Sequence, residues 1–144
     1  MVKMKYSHRL SDAVHILVYL EILGSASSST IADSVNSNPS LIRRLIARMV
    51  KAQILNRRGK GSEIEINLVR PASEVSLLDV YQAVEDHQEF LNVDPEVNHN
   101  QKLGRSMPAV LGNTYGQVQA AAEQEMAHIS LQSIIMAVRK QMQE

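Results

Sequence analysis

The chain has 144 residues, 44% of them hydrophobic, and its 15 basic side chains balance 15 acidic ones. That length supports one domain with a modest core and a helical appendage. Cysteine and tryptophan are absent and there is one phenylalanine, which excludes disulfides, thiolate chemistry, cysteine-held zinc or iron–sulfur centres, and an aromatic platform for single-stranded nucleic acid.

The neutral total conceals an asymmetry. Up to Arg70 there are 11 Lys and Arg against 5 Asp and Glu, a balance of +6; from Pro71 onward there are 4 against 10, a balance of −6. No acid lies between Asp33 and Glu63. A local basic patch binds phosphate even on a neutral chain. No run of about 18 apolar residues is present, so no membrane-spanning helix is expected. The start, Met1-Val2-Lys3-Met4-Lys5-Tyr6, leads into a helix carrying His8, Arg9, Asp12 and His15, which does not read as a signal peptide. The expected location is the cytoplasm.

The first helix is predicted from Ser7 to Leu23, with Leu10, Val14, Leu17 and Leu20 to Leu23 on its buried side and Gly24 ending it. Ser25 to Ser29 form a polar connector. One of its serines, or Thr30, caps a short second helix running from Thr30 to Val35. The break Asn36-Ser37-Asn38-Pro39 follows. Asn38 is expected to cap the third helix and Pro39 to occupy its first position, where a missing amide costs nothing. Ile42, Leu45, Ile46 and Met49 make that helix's apolar face. Ser40, Arg43, Arg44, Arg48 and Lys51 are left on the other.

A strand is predicted from Ile54-Leu55, a tip at Arg57-Arg58-Gly59-Lys60-Gly61-Ser62, and a returning strand in the alternating stretch Glu63-Ile64-Glu65-Ile66-Asn67-Leu68. This is a two-stranded wing directly after a helix-turn-helix. Arg70-Pro71-Ala72 breaks it. Ser76 and Asp79 approximate a capping box for a fourth helix ending near Val84. Residues 85–101 are polar and irregular. Beyond them Met107, Leu111, Tyr115, Val118, Ala122 and Met126 recur every three or four residues as one seam along a long helix, with Gly112 and Gly116 beside it. Those glycines offer a second backbone close approach. Ser130 is expected to cap a last helix striped by Leu131, Ile134, Ile135, Val138 and Met142.

A short helix, an Asn-Pro break, an amphipathic second helix with outward arginines and a basic hairpin together suit double-stranded DNA. Ser40, Arg43 and Arg44 occupy the turns that approach base edges, where arginine pairs with guanine; Arg48 and Lys51, further along, suit phosphates. Arg57, Arg58 and Lys60 flank the wing's glycines and suit a narrow minor groove, although solvated charges on an exposed turn would look the same. His87 and His99 lie near Asp86, Glu89, Asp94 and Glu96, but no pair has metal-motif spacing, and no nucleophile–base set or phosphate-cradling loop is visible. No metal, no cofactor and no enzyme activity are expected. The C-terminal seam either packs back as core or serves as a dimer arm. The arm is the more economical reading, because two recognition helices about one DNA turn apart read a near-palindrome.

Several stretches resemble the IscR/NsrR/CymR-type family of bacterial winged-helix transcriptional regulators. They are Leu17-Val18-Tyr19-Leu20, Ile31-Ala32, Pro39 to Leu45, Arg57 to Gly61, and above all Arg70-Pro71-Ala72-Ser73-Glu74-Val75-Ser76-Leu77-Leu78-Asp79-Val80-Tyr81-Gln82-Ala83-Val84-Glu85. The resemblance covers essentially the whole chain. It implies a homodimer, joined through the long C-terminal helix, that binds operator DNA and usually represses transcription. It places recognition on Ser40, Arg43 and Arg44 and wing contacts on Arg57, Arg58 and Lys60. Two departures stand out. Many members hold an iron–sulfur cluster on three cysteines in the loop after the fourth helix, and here Glu89 to Arg105 contains none. The wing is also poorer in glycine than is usual. The expectation is therefore a cluster-free member.

The predicted fold is mainly α with a small β-wing: a winged helix-turn-helix domain over residues 1–84, a loop over 85–104, and a helical dimerisation region over 105–144. The expected function is sequence-specific transcriptional regulation by a homodimer on a near-palindromic operator, answering to an unidentified small-molecule or protein effector. The alternative is a winged-helix module that binds protein instead of DNA.

Overall fold

The computed structural model describes residues 7–61 and 64–144. The expectations placed on Met1 to Tyr6, Ser62 and Glu63 lie outside those residues. The elements run α1 (Arg9–Leu23), α2 (Ser28–Val35), α3 (Pro39–Lys51), β1 (Leu55–Arg58), β2 (Glu65–Leu68), a 3-10 turn (Ala72–Glu74), α4 (Leu77–Val84), α5 (Lys102–His128) and α6 (Leu131–Met142).

Local chemistry sets most of these boundaries. Gly24 ends α1 at a φ of 88°, a conformation that only glycine adopts freely. The connector question resolves to Ser27, whose hydroxyl accepts from the Thr30 amide at 3.2 Å, so α2 begins two residues earlier than predicted. Asn38 caps α3 through Leu41 N–H at 2.8 Å, with Pro39 first in the helix. The Ser76–Asp79 capping box forms in both directions, at 3.0 and 2.9 Å. Helix α1 starts at Arg9 and not at Ser7, because its cap comes from far away in the chain: Glu85 Oε1 accepts from Leu10 N–H at 3.2 Å and from the Ser7 hydroxyl at 3.1 Å.

The wing is an antiparallel pair in the register Leu55↔Leu68 to Arg58↔Glu65. Ile54 is buried but precedes the strand. Ser25 of the connector ties the wing down by accepting from Ile66 N–H at 3.0 Å.

The core sits between α1, α2, α3 and the wing's inner face. Ala13, Ile16 and Leu17 meet Ile31, Ile42, Leu45, Ile46, Met49 and Leu55 there, all essentially without solvent exposure. The same cluster takes Val80 and Val84 from α4, and Leu131 and Ile135 from α6. The last helix thus returns to the winged domain. It is held by a short antiparallel bridge in which Leu77 N–H donates to the Ile129 carbonyl at 2.8 Å and Leu131 N–H to the Val75 carbonyl at 2.7 Å. Between α1 and α6 a cleft of about 580 Å³ remains, walled by Leu10, Val14, Val18 and Ile22 on one side and Ile134 and Val138 on the other.

Helix α5 is the least covered element. Met126 is its one buried residue. Pro108 lies inside it and removes one helical hydrogen bond. Segment 85–101 runs back along one side. Phe90 stacks on Tyr81 with ring centres 5.6 Å apart, its amide donates to Gln119 at 2.9 Å, and Asn98 crosses directly over Gly104. No single helix among the described residues is long and apolar enough to cross a membrane.

Candidate nucleic-acid interface

The face of α3 that the core leaves free carries Ser40, Arg43, Arg44 and Lys51, all exposed. Arg43 donates to the Ser40 hydroxyl at 3.3 Å, across one helical turn, so the two side chains sit together at the helix's N-terminal end. Among the described residues neither Arg43 nor Arg44 is paired with a carboxylate. Their charge faces solvent, in a stretch of sequence with no acid between Asp33 and Glu63.

Arg48 is placed differently. It lies on the edge of that face, and both ends of its guanidinium are engaged inside the protein: Nη1 donates to the Val84 carbonyl at 2.8 Å and Nη2 to Asp86 Oδ1 at 2.5 Å. The Val84 carbonyl is one of the orphan acceptors at the end of α4, which a cationic side chain satisfies well. Asp86 also accepts from Arg9 at the start of α1. The hydrogen bonds from Arg9 and then Arg48 hold its carboxyl well below the usual range, at about 2. Sequence reading grouped Arg48 with the other arginines because helical spacing shows which face a residue shares, but not which distant loop returns to meet it.

In the wing Arg57, Arg58 and Lys60 are all exposed. Arg57 and Arg58 alternate along β1 and therefore point to opposite faces of the ribbon. Arg58 stands across from Glu65, so opposite charges face each other there. Gly59 and Gly61 have φ values of 90° and 62°, and both positions of the tip need glycine.

The residues assigned to the C-terminal seam divide in two. Met107 and Val118 are exposed, at 37% and 47%; Leu111, Tyr115 and Ala122 are half-buried, and Met126 is buried at 8% within the protomer. The inner members lie on the side of α5 that meets α4 and segment 85–101. The open side continues from Met107 and Val118 through Leu103 and Val110, exposed at 72% and 60%. The close backbone approach falls at Gly104, where a Cβ would lie 2.3 Å from the Asn98 carbonyl oxygen, and not at Gly112 or Gly116, which have open or ordinary surroundings within the protomer.

His87 and His99 do not converge with the nearby acids. His99 meets the Pro95 carbonyl at 3.3 Å, and no group of three histidines and carboxylates could hold a metal among the described residues. A chain without cysteine also offers no thiolate for an iron–sulfur cluster.

Comparison with known proteins agrees with this geometry. Residues 6–137 match the Rrf2 family model, described as an iron-dependent transcriptional regulator. The chain is 36% identical over 127 residues to YwnA of Bacillus subtilis (strain 168), named as an HTH-type transcriptional regulator, covering 88% of this chain and 94% of that one. A solved structure described as a DNA-binding protein is 34% identical and superposes with a TM-score of 0.70 over 88% of this chain and 98% of its own. CymR, the global cysteine regulator of B. subtilis, shares the fold at 14% identity, with a TM-score of 0.66 over 94% of this chain and 98% of its own. So does T. potens IscR at 18% identity, with a TM-score of 0.65 over 94% and 88%. A helix-turn-helix with a cationic outer face, a two-stranded wing and a match across nearly the full length make this chain a member of the Rrf2 family of helix-turn-helix, DNA-binding transcriptional regulators, and not an enzyme.

Proposed function

We propose that the protein is a homodimeric transcriptional repressor of the cytoplasm that reads a near-palindromic operator. Ser40, Arg43 and Arg44 enter the major groove, Lys51 meets phosphate, and Arg57, Arg58 and Lys60 reach the minor groove. The observation that supports this reading is the coexistence of two surfaces left uncovered among the described residues: the cationic face of α3 and the apolar strip Leu103, Met107, Val110 and Val118 of α5. A strip of that kind is what a second copy covers in a two-fold dimer. The signal is not an iron–sulfur cluster, since the family's thiolate ligands are missing. A small-molecule or protein effector is the alternative, and the cleft between α1 and α6, at about 580 Å³, falls within the size range of ligand sites.

The test begins with footprinting across the genome to obtain the operator. Arg43→Ala and Arg44→Ala should each reduce discrimination between operator and scrambled DNA by roughly 5- to 150-fold, the worth of a bidentate base contact. Val110→Asp, on the open strip, should turn the dimer into a monomer in sedimentation velocity and weaken operator binding with it. A Val110→Asp protein that stays dimeric would remove α5 as the interface. Operator affinity unchanged in both arginine variants would remove α3 as the reader.

A further inference from the structure

Asp86 gathers two guanidinium groups from two helices. Arg9, at the start of α1, donates to Oδ2, and Arg48, on α3, donates to Oδ1. The side chains remain 37%, 39% and 46% exposed for Arg9, Arg48 and Asp86, so the cluster lies at the surface, where a solvated anion can compete for it. Arg48 follows Arg44 by one helical turn on the same element. Of the three arginines on α3, Arg48 alone has a carboxylate partner among the described residues. An anion whose separate oxygens each take an arginine is also the arrangement in which a backbone phosphate binds.

We propose that Asp86 is an internal stand-in for a DNA phosphate: it holds Arg48 within the protein and so removes it from the set of side chains that contact the DNA backbone. The Val84 carbonyl shares the hold but carries no net charge, so Asp86 supplies the competition with phosphate. Arg48 is thereby a reserve contact, and the residue at position 86 sets how many phosphates the protomer neutralises. This rests on the DNA-binding reading above.

Counterion release makes the count measurable. Each neutralised phosphate of duplex DNA contributes about 0.9 to the slope of log affinity against log salt. The full-length chain would be titrated by fluorescence anisotropy onto a mixed-sequence 40-base-pair duplex over a potassium chloride series. Arg48→Ala should leave the slope at its wild-type value. Asp86→Asn should steepen it by about 0.9 per protomer, and the double variant Asp86→Asn/Arg48→Ala should return it to wild type. A slope that flattens by about 0.9 in Arg48→Ala alone would make Arg48 an ordinary phosphate contact and overturn the proposal. So would an unchanged slope in Asp86→Asn, or a steepening that persists in the double variant and thus comes from lost repulsion or from the freed Arg9 instead of Arg48. Should Asp86→Asn fail to fold, the Arg48→Ala slope decides by itself. Failure of the underlying reading looks different: wild type and Arg43→Ala would then bind the duplex equally poorly.

Discussion

Replacing Gly104 with alanine tests how segment 98–101 and α5 are fitted together. In an open helix interior, alanine is favoured over glycine by about 1 kcal/mol. At Gly104 the added Cβ would sit 2.3 Å from the Asn98 carbonyl oxygen, 3.1 Å from its carbon and 3.2 Å from its amide nitrogen. These are backbone atoms, so no side chain can swing aside. The crossing must lift by nearly 1 Å, which also strains the turn in which Gln101 N–H donates to the Asn98 carbonyl at 3.2 Å. Overpacking of this kind costs about 1–3 kcal/mol, so the net change is zero to about 2 kcal/mol destabilising. Gly112→Ala is the control. Its Cβ would meet the Val93 side chain at 4.0 Å, an ordinary contact, and the protein should gain about 0.5–1 kcal/mol. Urea unfolding at one fixed protomer concentration, compared by midpoint and slope, separates the two. The reasoning fails if Gly104→Ala stabilises the protein as much as Gly112→Ala does. Gly116→Ala extends the series, because nothing among the described residues lies within 4 Å of it. A loss of self-association in the proposed dimer in that variant would locate a partner's backbone there.

Two further outcomes are expected. Asp79→Ala removes the acid that accepts from Ser76 N–H at 2.9 Å and from Arg70 Nη2 at 2.9 Å, so the start of α4 should lose about 1 kcal/mol in urea unfolding, while Ser73→Ala on the exposed turn should cost almost nothing. The depressed carboxyl of Asp86 stabilises the fold at every pH above the unfolded-state value of 3.8 and stops doing so as pH falls through about 2. Acid titration of Asp86→Asn should therefore show a shallower loss of stability between those limits than wild type, and parallel curves would mean that Arg9 and Arg48 do not act on this group in solution.

Much of this molecule is legible in its sequence, for a reason visible in particular residues. The caps at Asn38, Ser76 and Ser130 are local: each side chain bonds an amide three residues on, so the residue type and its position already contain the answer. The stripe Ile42, Leu45, Ile46 and Met49 is legible for the same reason. Contacts that close over tens of residues are not. Nothing near Leu10 announces that Glu85 will cap α1, and nothing near Arg48 announces Asp86, because an acid in a polar stretch looks solvated until the chain returns. The seam along α5 falls between these cases. Its period is correct, but a helix offers several adjacent stripes of nearly equal apolarity. Which one faces inward is decided by where Phe90 and Asn98 come to rest.

The bridge between residues 75–77 and 129–131 has a consequence for how the molecule is made. Leu131 and Ile135 complete a core whose other members lie before residue 85, and the amide of Leu77 relies on a carbonyl supplied by Ile129. The reading domain therefore remains unfinished while the ribosome is still making α5, with an apolar hollow open over α1 until the final helix emerges. Full cover of α1 is reserved for chains that have been translated past α5, and a nascent or truncated chain lacking α6 is marked by an exposed core that chaperones and proteases can recognise.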